Sequence, residues 1–199
     1  MKFPRIALSV VLLLTTAAFA QSNTQKSAEK PKTDENPFSS WNKLAYNRVK
    51  GILLSSAEKM SEENYNFRPV DSVRTYGQII GHVADAQYLF CSIALGEKNP
   101  GLKIEETKTS KADLIAALKD AFAYCDKVYD SMTDASGAQT AQLFGRDIPK
   151  LDVLTVNNMH NMEHYGNLVT YMRMKNIVPP SSESGNPPSH SSDNAPPKK

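Results

Sequence analysis

The sequence predicts an all-α protein, a four-helix bundle, on three observations. Four stretches carry apolar residues at helical spacing, capping signals stand ahead of them, and no segment shows the period-two alternation of a half-buried strand. The first helix follows Pro37 and carries Trp41, Leu44, Ala45, Val49, Ile52 and Leu53 before fading near Met60. A connector from Ser61 to Ser72 contains Phe67-Arg68-Pro69, whose proline disfavours helical backbone just before it. The second helix opens at Thr75, with Gln78 as its capping-box partner, and runs to about Leu95, where Gly96 suits a left-handed end. The third opens at Ser110, with Asp113 three residues on, and continues through Leu114, Leu118, Ala121, Cys125 and Val128 to about Met132. Ser136-Gly137 and Gly145 mark a loop. The fourth opens near Pro149, a residue tolerated in the first helical turn, and ends near Lys175 ahead of Pro179-Pro180.

These helices occupy residues 37–180 of a 199-residue chain, a normal size for one domain. Residues 1–20 have a basic start, an apolar run from Ile6 and the end Ala18-Phe19-Ala20, which together describe a cleavable secretory signal. The run is shorter than the roughly 20 residues that span a bilayer, so export with cleavage near Ala20 is expected rather than a stable membrane anchor. The mature chain would be periplasmic or extracellular. Residues 21–36 and 181–199 are rich in Ser, Pro, Asn and Lys and are expected to be a disordered linker and a disordered tail.

Charge excludes one class of partner. With 23 Lys and Arg against 21 Asp and Glu, interspersed, the chain has no basic face of the kind that binds nucleic acid. It also has no Gly-rich phosphate loop, and Gly77 and Gly81 read as small residues that allow close packing.

Three of the four histidines carry the functional argument. His160 and His164 lie one helical turn apart, so their imidazoles project about 40° from each other and can converge on one ion. They share a face with Val153, Val156 and Tyr171. His82 lies in the stripe Ile79, His82, Ala86, Leu89 and Ile93 of the second helix, otherwise apolar and expected to face inward. Three buried imidazoles without partners would cost several kcal/mol, which a shared cation offsets. Three neutral nitrogens also leave a coordination position open, as in catalytic zinc sites. The ligand set His82, His160 and His164 suits a divalent transition metal, zinc or nickel first, and its affinity should fall below about pH 6 as imidazoles protonate. His190 lies in the tail and is set aside.

Three further groups stand beside this set. His160-Asn161-Met162-Glu163-His164 also fits the inverted zinc-protease pattern H-x-x-E-H, but that needs a downstream carboxylate, and only Glu183 follows. Asp85, three residues from His82, is a candidate for handling protons beside the ion, with a plain surface acid as the competing reading. Cys91 lies about 180° round the helix from His82 and cannot be a fourth ligand. A disulfide between Cys91 and Cys125 and a pair of buried free thiols both fit the spacing.

The run Val73-Arg74-Thr75-Tyr76-Gly77-Gln78-Ile79-Ile80-Gly81-His82-Val83-Ala84-Asp85-Ala86, with Phe67-Arg68-Pro69 before it, resembles the second-helix signature of the DinB-like, YfiT-related superfamily. The stretch from His160 to Leu168, with Tyr171-Met172-Arg173 and Val178-Pro179-Pro180, is similar to that family's closing motif. The resemblance covers residues 37–182. It implies a four-helix bundle with a metal held by three histidines, here His82, His160 and His164. Family members include thiol transferases and proteins resembling metal-dependent hydrolases, and an exported member would meet little of a cytosolic thiol cofactor.

Two functions are therefore expected as alternatives: a metal-dependent hydrolase or transferase acting on an unknown small molecule, or a metal- or ligand-binding bundle without turnover. A second apolar arc on the fourth helix, Leu154, Tyr165, Val169 and Met172, is expected either to form a homodimer surface or to meet two neighbouring helices.

Overall fold

A computed structural model describes residues 34–183. The expected signal at 1–20, the linker through residue 33 and the tail from residue 184 lie outside the described residues. The elements in order are α1 (Pro37–Lys59), α2 (Tyr76–Leu95), α3 (Ile104–Thr107), α4 (Lys111–Ser131), α5 (Asp134–Gly137), β1 (Thr140–Leu143), β2 (Arg146–Pro149) and α6 (Lys150–Met174), with single 3-10 turns at Glu62–Asn64 and Pro180–Ser182. The four long helices form the bundle: α1 and α2 each pack against both α4 and α6, so α1 lies diagonally from α2. Among the described residues no helix is long and apolar enough to cross a membrane.

Local sequence sets most helix starts. Thr75 Oγ1 accepts from the Gln78 amide at 3.2 Å and Gln78 Oε1 accepts from the Thr75 amide at 2.8 Å, the expected capping box. Ser110 caps α4 through the Asp113 amide at 3.1 Å, while the Asp113 carboxylate accepts from the Ser110 hydroxyl instead of its amide. Gly96 ends α2 at φ 77°, a left-handed conformation natural to glycine. The start of α1 is set from a distance instead. It has no cap of its own, and the Asp134 carboxylate, almost a hundred residues away, accepts from the Ser39 amide at 2.8 Å and the Phe38 amide at 3.3 Å.

The core runs the length of the bundle and includes Tyr46, Leu53, Tyr76, Ile80, Leu118, Phe122, Leu154 and Leu168. Cys91 and Cys125 are joined by a disulfide that links α2 to α4, with Cα atoms 5.5 Å apart. That settles the alternative left open by spacing. A buried polar chain ties α2 to α6: Gln87 Nε2 donates to Asn161 Oδ1 at 2.7 Å, and Asn157 Nδ2 donates to Gln87 Oε1 at 3.0 Å.

Three expectations are corrected, and one pair of alternatives is narrowed. The chain has a small antiparallel hairpin, with Thr140 opposite Pro149 and Leu143 opposite Arg146. Its four-residue strands are too short to display alternation, and its signal is the turn, where Phe144 (φ 50°) and Gly145 (φ 79°) both take left-handed backbone. On α1 the buried side is Ser39, Asn42, Tyr46, Val49 and Leu53. Trp41 and Leu44 are exposed (71% and 59%), because the small and polar residues at 39 and 42 make the closer approach to α5 and α6. The arc on α6 meets the second of its two expected alternatives, with Leu154, Tyr165 and Met172 buried against the neighbouring helices. Packed structure also continues past residue 180, where Tyr165 Oη donates to Ser181 Oγ at 2.7 Å.

The disulfide closes a loop with a sequence separation of 34, and loop-closure entropy assigns such a link about 3–4 kcal/mol. The double variant Cys91→Ala/Cys125→Ala is expected to lose that much unfolding free energy in urea denaturation. A loss below about 1 kcal/mol would show that the link carries little of the fold.

Candidate metal centre

Helix α2 brings His82, and one face of α6 brings His160 and His164, to a single point. His160 Nε2 lies 3.1 Å from His82 Nε2 and 3.1 Å from His164 Nε2. All three ligand atoms fall within 4.8 Å of one another. Tetrahedral coordination with bonds of 2.0–2.1 Å spaces its nitrogens by about 3.3 Å, so the ring positions suit one small ion. The Phe90 ring packs on His160, with centroids 5.6 Å apart, and forms an apolar wall.

The outer nitrogens fix which atoms face inward. His82 Nδ1 lies 2.9 Å from Glu105 Oε2, and His164 Nδ1 lies 3.2 Å from Asn167 Oδ1. Both partners accept, so both Nδ1 atoms carry the hydrogen and both Nε2 atoms present bare lone pairs. His160 Nδ1 is buried and has no partner among the described residues. Without a cation, His160 Nε2–H would have to serve two acceptors at once, and a bare Nδ1 would be left buried. A cation takes all three inner lone pairs together. The residues present therefore fit a divalent metal.

Burial, with His164, His82 and Arg74 adding to it, pulls the His160 pKa down to about 3. Burial and the neighbouring His82 lower that of His164 as well. His160 thus remains neutral well below pH 6, and its share of the acid loss of metal affinity moves to lower pH.

Glu105 is the functional residue that sequence reasoning missed. Its carboxylate bridges His82 and Arg74, accepting from Arg74 Nε at 2.7 Å. Asp85, expected beside the ion, makes no hydrogen bond to a histidine among the described residues. Its two oxygens accept instead from the Ile104 and Glu105 amides, each at 2.9 Å, and so hold the first turn of α3. Gly81 allows that turn to dock, since a Cβ there would stand 2.7 Å from the Glu105 Cα. Gly81 and Asp85, one turn apart on α2, thus place the carboxylate that orients His82. The spacing H-x-x-D showed an acid near the site, but which way it pointed depended on a segment 19 residues downstream.

The protease pattern gains no support. Glu183 pairs with Lys59 and lies away from the triad, and His82 fills the third position. Glu163 is exposed on α6 and, with His164, Glu105, Arg74 and Tyr171, lines an open pocket of about 730 Å³ beside the triad.

The sequence profile of the DinB superfamily matches residues 45–168, which include all three histidines. The chain belongs to the DinB superfamily. Within it, the uncharacterized protein YjoA of Bacillus subtilis (strain 168) is 26% identical over 129 residues, 62% of this chain and 82% of YjoA. The crystal structure of that DinB-like protein superposes with a TM-score of 0.57 at 20% identity, covering 69% of this chain and 93% of its own. A DinB-like protein from Bacillus cereus gives a TM-score of 0.61 at 18% identity, covering 69% of this chain and 92% of that one. A mycothiol-dependent maleylpyruvate isomerase shares the fold at TM-score 0.56 and 13% identity, over 67% of this chain and 65% of the isomerase. At these identities the solved structures establish the DinB-like helical fold of this chain and nothing finer.

Two outcomes follow for the metal-free protein. Between pH 6.5 and about 3, unfolded His160 binds a proton that the folded residue excludes, so stability falls as pH falls through that window. The slope from this group is at most about 1.4 kcal/mol per pH unit. Thermal unfolding of wild type and His160→Gln at pH 7, 5.5 and 4 should show a shallower acid loss in the variant. Gly81→Ala should cost about 1–3 kcal/mol by forcing α3 off α2, and urea unfolding indistinguishable from wild type would contradict the close approach.

Proposed function

We propose that this DinB-superfamily protein is an exported metal-dependent enzyme that performs hydrolysis or group transfer on a small molecule in the pocket beside its histidine triad. The observation that carries this reading is the set of three inward Nε2 atoms with two of their tautomers fixed from outside. His82, His160 and His164 would hold the ion, zinc or nickel being the metals best matched to three neutral imidazoles and an open position. When bound, such an ion supplies Lewis acidity to a substrate carbonyl and to a nucleophilic water or thiol.

The chain's own residues do the rest. Glu105 holds the His82 ring in register and raises the basicity of its inner nitrogen. Asn167 does the same for His164 through a neutral amide. Phe90 excludes water from the His160 side, while the pocket lined by Arg74, Glu163 and Tyr171 admits the substrate on the His164 side. Glu163, bordering that pocket without an ion-pair partner among the described residues, is the carboxylate best placed to accept a proton. Export is supported by the signal-like segment at residues 1–20 and by the Cys91–Cys125 disulfide, since such links persist in oxidising compartments.

Metal content separates this reading from its failure. Wild type purified without chelator is expected to carry about one transition ion per chain by mass spectrometry, and His160→Ala none. Glu105→Ala should weaken metal affinity by about 10–100-fold in a chelator competition. A wild type that takes up no ion on reconstitution would refute the metal centre. Ester, amide or thiol turnover unaffected by metal removal would refute its catalytic role.

A further inference from the structure

Arg74 is held in place more firmly than a surface arginine needs to be. It immediately precedes the N-cap of α2, its carbonyl accepts from Tyr171 Oη at 2.8 Å, and the Tyr171 ring in turn packs edge-on against Phe67, with centroids 5.9 Å apart. Its side chain spends one donor, Nε, on Glu105 at 2.7 Å. The two terminal nitrogens make no hydrogen bond among the described residues, and the exposed side chain borders the pocket beside His164. A guanidinium tied by Nε keeps its outer Nη1–Nη2 edge as a planar fork, the shape that grips a carboxylate through two parallel bonds.

The charges of the pocket agree with that shape. Arg68 is paired with Asp71 at 2.9 Å, and Arg74 with Glu105, so these four groups cancel. Glu163 remains as one negative charge. Three neutral imidazoles leave the two positive charges of a divalent ion uncompensated. The loaded pocket is therefore positive by one charge and favours an anionic guest over a neutral one of the same shape.

We propose that the pocket binds a small organic carboxylate, with the outer edge of Arg74 holding the carboxylate group while the rest of the molecule extends toward His164. This rests on the metal-centre reading for the net charge, but the fork itself is independent of the ion. Arg74 is thereby a specificity-determining residue, and Glu105 serves two tasks with its two oxygens, orienting His82 through one and the fork through the other.

The test titrates the protein with succinate and with its neutral isostere succinamide by calorimetry, before and after loading with Zn²⁺, while mass spectrometry follows zinc content. The loaded wild type is expected to bind succinate at least tenfold more tightly than succinamide. Arg74→Gln should lose at least fivefold in succinate affinity while binding of imidazole, which needs the ion alone, changes less than twofold. Should Arg74→Gln also shed zinc, Arg74→Lys, which keeps the charge and loses the fork, is expected to show the same selective loss with zinc retained. Equal affinity for the two ligands, no binding of either, or succinate binding unchanged in both variants would overturn the proposal. A wild type without zinc refutes the metal centre alone, and a succinate preference that persists without zinc and vanishes in Arg74→Gln upholds the fork.

Discussion

The contact on which the structure turns is the 2.9 Å approach of Glu105 to His82. It decides which nitrogen of His82 faces the bundle interior, and with it whether three imidazoles crowd one another or share one guest. Repulsion between inward lone pairs is a cost that a shared cation would relieve. The low pKa of His160 is another expression of the same fact: a buried ring beside two others tolerates no added proton.

Much of the neighbouring structure can be understood as support for that contact. Asp85 satisfies the amides at the start of α3, Gly81 lets its backbone reach α2, and buried Ile104 anchors it in the core. Below the triad, the chain from Gln87 through Asn157 and Asn161 keeps α2 and α6 in register. Such a buried polar layer favours one relative position of the two helices, because a slide by one turn would strand its donors in an apolar interior. The disulfide clamps α2 to α4 on its other side. His82 thus belongs to a helix held from two directions, and His160 and His164 to a helix registered against it.

The parts of the site differ in how legible they were. His160 and His164 announce themselves by helical spacing, because two residues four apart on a continuous helix have fixed relative directions whatever the fold. His82 was legible through its chemistry in an apolar stripe, although the most deeply buried line of α2 runs through Ile80, Val83, Ala84 and Gln87, leaving His82 half-buried against Glu105. Asp85 was found as a residue but given the wrong neighbour. Glu105 carried no signal, since an acid in a short polar segment looks like any solvated loop residue. Trp41 and Leu44 misled for the opposite reason: helical spacing shows that apolar residues share a side, not that the side is covered.

Local sequence by itself determined the four long helices, their capping at Thr75 and Ser110, the end at Gly96, and the pairing of His160 with His164, because each depends on residues within one or two turns of the backbone. Tertiary structure decided the remote capping of α1 by Asp134, the bonding of Cys91 to Cys125, the covered arc of α6 and the arrival of Glu105 between His82 and Arg74. Each of these joins groups 19 or more residues apart, and such distances are set by how helices pack and loops close, which no local pattern encodes.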